Sequence, residues 1–210
     1  MSTQPLCGIF VGGASRRMGG YPKGLLPAPS SDESMPAQQP GQKQQPLVVR
    51  LQHLAEQLTL RCVLVGESAA YRHLELPQLA DSPPGIGPLG GLQALLQAAN
   101  PAGALALSCD LPYVSRPLLA LLLANVDAND GFDAVVPRCP GGPREPLCAY
   151  YAPSVAPVLA AAIEAGERSF QALLLRLRVR ELHLTSEQAQ QLRDWDQRSD
   201  VPQALRPWSE

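Results

Sequence analysis

The sequence predicts an α/β fold, a single domain built on a mostly parallel sheet with helices on both faces. Three observations predict it. Short apolar runs of strand length alternate with stretches of helical periodicity along most of the chain. Several of those apolar runs end in loops rich in glycine and charge, the composition expected where ligands meet the carboxyl edge of such a sheet. At 210 residues the chain can bury one good core and is short for two.

The elements follow in order. An apolar run at 5–11 stops at a glycine pair and reads as the first strand. A short element is expected at 23–27. Composition then changes: 28–45 is rich in Ser, Pro and Gln, with Asp32 and Glu33, and predicts a mobile surface insertion within the one domain. Leu47, Leu51, Leu54 and Leu58 recur at helical spacing and predict a helix over 47–58. A strand is read at 61–65, a short helix at 68–73, and a third strand at 76–80 that Pro77 interrupts. A helix is expected over 89–99. The small apolar residues of 102–108 suit a buried central strand. Ser115 is the expected N-cap of a helix at 117–124. Strands at 132–136 and 147–151 precede helices at 155–165, closed by Gly166, and at 170–177. A last strand is read at 178–184.

Composition narrows the function. Hydrophobic residues make up 45% and charged residues 17%, which suits a globular protein. A net charge of −2 implies no broad basic face, so a nucleic-acid partner is not expected. The longest apolar stretches are about ten residues, against about 20 for a spanning helix, so no membrane segment is expected. The first ten residues show neither a basic start nor an extended apolar run, so no secretory leader is expected there. The five cysteines are scattered singly, without a CxxC pair, and suggest neither a zinc site nor a disulfide framework. Cys7, Cys62, Cys109 and Cys148 read as small core residues, and a cytoplasmic location is expected. His53, His73 and His183 lie outside the glycine-rich loops and are given no catalytic role.

Three loops carry chemistry. In the first, Gly12 and Gly13 let the backbone turn and approach a ligand, and Arg16, Arg17 and Lys23 bring positive charge to the same place. The loop suits a triphosphate; an ordinary basic turn has the same composition. It matches neither the Walker A pattern nor the GxGxxG fingerprint. The second loop runs from Asp81 through Gly85, Gly87, Pro88, Leu89, Gly90 and Gly91 into a helix, whose N-terminus favours anions. Read alone, it also fits a proline-rich turn. The third follows the small-residue strand and carries Asp110. A carboxylate there suits Mg²⁺, which takes one or two carboxylates plus phosphate oxygens; the alternative is an aspartate capping the next turn.

Residues 10–26 closely resemble the opening signature of MobA-like nucleotidyltransferases, Leu-Ala-Gly-Gly-x-Ser-x-Arg-Met-Gly with a lysine a few residues on. Gly12, Gly13, Ser15, Arg17, Met18, Gly19 and Lys23 match, and Phe10 and Val11 replace Leu-Ala. The loop from Asp81 is similar to the family's Asp…Gly-Pro-Leu-Ala/Gly-Gly motif. Cys109-Asp110-Leu111-Pro112-Tyr113 is similar to its Cys-Asp-Met/Leu-Pro-Phe/Tyr motif, and Pro146 to Tyr151 looks like its Pro-Leu-x-Ala-x-Tyr strand. The resemblance spans essentially the whole chain outside the insertion and the last few residues.

The resemblance implies a Rossmann-like nucleotidyltransferase domain, and the pairing of Gly-Gly with Pro-Leu-Gly-Gly is similar to the guanylyl branch. Implied with it is transfer of GMP from GTP to molybdopterin or the molybdenum cofactor, with Mg²⁺. Cofactor-insertion chaperones or recipient molybdoenzymes are further implied partners. Phe10, Val11, Gly12, Gly13, Ser15 and Lys23 would hold the nucleotide; Gly66, Asp81, Gly87, Pro88, Leu89 and Gly90 would locate its nucleoside. Asp110 would hold the metal, and Lys23 with Arg17 would neutralise the phosphates. Asp194 and Asp196 stand near where the family commonly has Asn, and either could reach the same metal; a helix-cap region is the alternative. Arg144 would meet the pterin-side phosphate and Arg168 an anion, with solvated arginines as the alternative. The family often has Asn at the end of the second strand, where this chain has Gly66. A cytidylyltransferase, transfer to another small phosphorylated acceptor, and a non-catalytic nucleotide-binding accessory protein are the competing readings.

Overall fold

The computed structural model describes residues 4–12, 16–29, 44–126 and 131–208. Among the described residues, seven strands form one sheet: β1 (Leu6–Phe10), β2 (Arg61–Val65), β3 (Gln78–Leu79), β4 (Ala104–Ser108), β5 (Ala134–Arg138), β6 (Cys148–Tyr151) and β7 (Val179–His183). Their order across the sheet is β3-β2-β1-β4-β6-β5-β7. All neighbours are parallel except β6, which runs antiparallel to β4 and to β5. The helices are α1 (Leu47–Gln57), α2 (Pro88–Ala99), α3 (Arg116–Ala124), α4 (Val155–Glu164), α5 (Phe170–Leu174) and α6 (Ser186–Gln190).

Alternation along the strands builds two apolar layers, because successive side chains leave a strand on opposite faces. Cys7 and Ile9 of β1, with Leu105 and Leu107 of β4, pack under α1 and α3. Leu6, Phe10, Ala104 and Ala106 face α2, α4 and α5. The second layer is small beneath α2 because the helix comes close: a methyl on Gly8 would collide with Leu95. The expected mostly parallel sheet with helices on both faces is therefore what forms.

Several boundaries have clear local causes. Ser115 caps α3, its Oγ accepting the Leu118 N–H at 3.4 Å. Gly166, at φ +85, donates its N–H to Ile163 O at 2.9 Å and ends α4. The third strand shrinks to two residues because Pro77 has no N–H to give, although its carbonyl still accepts from Leu64 N at 2.8 Å. The helix expected to reach 177 stops at Leu174, where Arg176 N bonds Leu173 O in a tight turn that feeds β7. Helix α6, unforeseen from apolar spacing, has no fully buried residue, only Ala189 against the core, and rests on a capping box between Thr185 and Gln188. The expected insertion at 28–45 lies outside the described residues apart from its ends, which Ala28 N and Gln45 O join at 2.9 Å.

Candidate active site

Parallel register sets the site. Phe10, Val65 and Ser108 stand side by side at the carboxyl ends of β1, β2 and β4. The chain passes from β1 outward to β2 and β3, then returns to β4 on the other side of β1, so strand order reverses here. Val11 N donates to Val65 O at 2.9 Å, and Cys109 N to Phe10 O at 3.1 Å. These bonds carry each strand's order into the loop beyond it. A cleft of about 510 Å³ opens over this edge, and Phe10, Val11, Gly12, Arg17, Lys23, Asp81, Gly87, Pro88, Asp110 and Asp196 all line it.

A chain of alternating charges crosses its floor. Lys23 Nζ donates to Asp110 Oδ2 at 2.9 Å and to Asp196 Oδ1 at 2.8 Å. Arg17 Nη1 donates to the other oxygen of Asp196. Lys23 and Asp110 are largely shielded, with side chains 16% and 14% exposed, whereas Arg17 is 71% exposed. Burial acts to lower the Lys23 pKa, but the hydrogen bond to Asp196 and the charge of Asp110 outweigh it and raise it. The Lys23 hydrogen bond, with help from Arg17, holds the Asp196 carboxyl below the ordinary range. Burial raises the Asp81 carboxyl. Ser108, which the sequence reading passed over, donates its hydroxyl to Asp110 Oδ1. Its signal was its place, two residues before Asp110 at the strand's open end.

Asp110 also lines a second hollow of about 290 Å³, with Ser108, Leu111, Glu145, Leu147 and Asp194. Burial raises the Glu145 carboxyl, and Asp194 adds to that. Asp194 is raised first by burial and then by the negative charges of Asp110 and Asp196. The two candidate carboxylates of the C-terminal segment therefore part company. Asp196 joins the Lys23 bridge, and Asp194 faces the hollow.

Other expected site residues do not line this cleft. Leu89 is fully buried in the apolar layer under α2, so its side chain faces the core. Gly90 is a packing glycine, since a Cβ there would meet Pro83 O and Ile86 at 2.8 Å. Gly66 does not line the cleft. It lies behind it at φ +102, where a Cβ would stand 2.9 Å from both N and Cα of Gly12. The two glycines let the ends of β1 and β2 touch, and that contact leaves no room for an asparagine. Arg144 is held by Glu181, Nε to Oε1 at 2.8 Å, beside Arg138 on the same carboxylate. Arg168 turns back over the end of α4, donating to Ile163 O at 3.4 Å and to Glu167 O at 2.7 Å. Gly13 and Ser15 lie outside the described residues.

A mostly parallel sheet with a switch in strand order, and a lysine between two carboxylates at its ligand edge, fits a nucleotidyltransferase. Comparison with known proteins sharpens this: residues 7–182 match the family model described as the MobA-like NTP transferase domain, and the chain belongs to that family. It is 33% identical over 183 residues to the molybdenum cofactor guanylyltransferase of Pseudomonas fluorescens (strain SBW25), covering 84% of each chain. Among solved structures it is similar to molybdopterin-guanine dinucleotide biosynthesis protein A from Archaeoglobus fulgidus, with a TM-score of 0.68, 24% identity, and 92% and 93% of the two chains covered. It is also similar to 2-C-methyl-D-erythritol 4-phosphate cytidylyltransferase from Thermus thermophilus, with a TM-score of 0.57, 16% identity, and 94% and 95% covered. Likeness at those identities speaks for the fold. Among the described residues, no helix is long and apolar enough to cross a membrane.

Proposed function

We propose that the protein transfers GMP from GTP to the terminal phosphate of molybdopterin or the molybdenum cofactor, with Mg²⁺. An acceptor phosphate oxygen attacks the α-phosphorus of GTP, the bond from that phosphorus to the bridging oxygen breaks, and pyrophosphate leaves. The observation that carries the reading is Lys23, held between Asp110 and Asp196 at the open edge of β4. No covalent enzyme intermediate is needed, so the protein's work is positioning and charge neutralisation.

Each residue then has a task. Lys23 and Arg17 exchange carboxylate partners for the oxygens of the triphosphate, which keeps both cations compensated before and after binding. The glycines of the first loop let its backbone come near the phosphates. Asp81 accepts hydrogen bonds from a donor edge, and guanine offers a paired N–H edge where cytosine offers a single amino group. That supports GTP over CTP and makes up for the missing asparagine at Gly66.

The donor set supports the metal. Asp110 and Asp196 offer carboxylate oxygens on either side of one ammonium group, and Mg²⁺ is a hard ion that takes one or two carboxylates and completes its shell with phosphate oxygens and water. When bound, it would supply charge stabilisation on the reacting phosphate oxygens.

The test is pyrophosphate release by purified protein with Mg²⁺, a molybdopterin-type acceptor, and GTP or CTP in parallel. Release with GTP alone is expected, and a chelator should abolish it. Asp110→Ala should keep GTP binding and lose on the order of 10²–10³ in turnover, the scale of losing one charge-stabilising group. Near-normal turnover in that variant would overturn the metal assignment, and release with CTP alone would overturn the base.

A further inference from the structure

We propose that Tyr71 is a positioning residue for nucleotidyl transfer: its buried hydroxyl sets the Lys23 turn against Asp110. This rests on the reading of Lys23 and Asp110 as the transfer machinery.

Tyr71 lies on the short 3₁₀ helix Ala69–Leu74 and is only 2% exposed. Its Oη accepts the backbone N–H of Gly24, the residue after Lys23, at 3.2 Å. The contact is tight on three sides. A Cβ on Gly24 would stand 3.1 Å from both Cε1 and Oη of Tyr71 and 3.3 Å from Cβ of Cys109, the residue before Asp110. The backbone neighbours of both members of the Lys23–Asp110 pair therefore meet beside one phenol, where a methyl would force its neighbours to give by a few tenths of an ångström.

Each corner of that contact is fixed from outside. The Lys23 turn closes on itself through Leu25 N to Pro22 O at 2.9 Å and Leu26 N to Lys23 O at 3.0 Å. Those bonds use the neighbouring N–H groups, and Gly24's goes to Tyr71. Cys109 is held by its own N–H on Phe10 O at 3.1 Å. Tyr71 is held from the far edge of the sheet. Its backbone N–H bonds Ser68 O at 3.2 Å, and Ser68 N bonds Oε1 of Gln78 in β3 at 2.9 Å. Lys23 sits on a turn of three residues, too short to hold itself rigidly. The phenol ties that turn to the sheet, and a displacement of an ångström at such a distance from the chemistry can cost much of the rate.

The test is a double-mutant cycle on pyrophosphate release from GTP. Tyr71→Phe keeps the ring and removes the acceptor. Gly24→Ala keeps the acceptor and pushes the turn away from it, which gives a second route if either protein folds poorly. Thermal melting establishes that each variant is folded. Each should lower kcat/KM about fivefold or more, the worth of one buried hydrogen bond. In a Lys23→Ala background the same changes should add less than about twofold, because groups that act through one residue are not additive. Equal fold-losses in both backgrounds, or no loss in either, would show that Tyr71 serves the fold alone. If Lys23→Ala itself leaves turnover within a few-fold of the parent, the assignment of the machinery fails instead, whatever Tyr71 does.

Discussion

Gly66 shows how one missing side chain is enforced by its neighbour. Its φ of +102 is a conformation that L side chains rarely adopt, and its Cβ direction points into the backbone of Gly12. Gly66→Asn, which would restore the residue often found in the family, should therefore not gain nucleotide affinity. The expected outcome is a loss of about 1–3 kcal/mol in urea unfolding, the usual cost of a residue held in a sparse backbone region. GTP affinity should weaken with it, because Gly12 must move away from the cleft. Tighter GTP binding in the folded variant would mean that the glycine contact is not what excludes asparagine.

At the scale of elements, Asp133 decides how the far half of the sheet is assembled. It is 9% exposed at the start of β5. Its carboxylate accepts Ser154 Oγ at 2.8 Å, at the head of α4, and Arg178 N at 2.9 Å, at the entry to β7. Burial pushes its pKa up, but the Arg178 N–H, the Ser154 hydroxyl and the Arg178 guanidinium outweigh that and hold it below the ordinary carboxylate range. A carboxyl whose folded pKa is lowered stabilises the protein above its unfolded value of about 3.9, and loses that contribution as pH falls through the lowered folded value. Asp133→Asn should cost about 1–3 kcal/mol near neutral pH. The gap to the parent in denaturant midpoints should narrow steadily below pH 4; a gap independent of pH would remove the carboxylate from the account. The elements themselves were legible in the sequence wherever they are buried, because continuous apolar runs in the strands and a period of 3.6 in the helices write burial into the chain. What was not legible is how strands are ordered. The antiparallel course of β6 follows from the turn at Pro140-Gly141-Gly142-Pro143, a breaker cluster that signals a reversal but not which neighbours it serves. Likewise Leu89 and Gly90 belong to a motif by sequence and to the core by contact, and Arg144 reads as free until Glu181 of β7 is seen beside it.

At the scale of the molecule, the candidate site depends on joining the two ends of the chain. Asp196 lies 173 residues after Lys23, and no spacing rule could have paired them. The pairing is made by a third apolar cluster apart from the two sheet layers, in which Met18, Leu26 and Leu47 bury themselves against Trp195, Val201 and Leu205. Trp195 is its largest member, 1% exposed, edge-on to Tyr113 with ring centres 6.0 Å apart. Its backbone N–H bonds Asp110 O at 3.0 Å, so one residue ties the C-terminal segment to the first loop through packing and to the Asp110 loop through backbone. Met18 of the family signature thus acts as an anchor for that segment. Trp195→Ala should cost about 3–5 kcal/mol, the range for removing a buried large aromatic. It should weaken GTP binding beyond what Asp196→Ala alone does, because the first loop loses its support as well as a carboxylate. Trp195→Phe separates the two effects. The indole Nε1 has no hydrogen-bond partner among the described residues, so the smaller ring gives up packing but no hydrogen bond. The expected loss is about 1–2 kcal/mol with GTP affinity largely kept. Denaturant unfolding and nucleotide titration on the three variants decide it. If Trp195→Ala is destabilised yet binds GTP as tightly as Asp196→Ala, the cluster supports the fold without shaping the first loop, and the site is held together by its ion pairs alone.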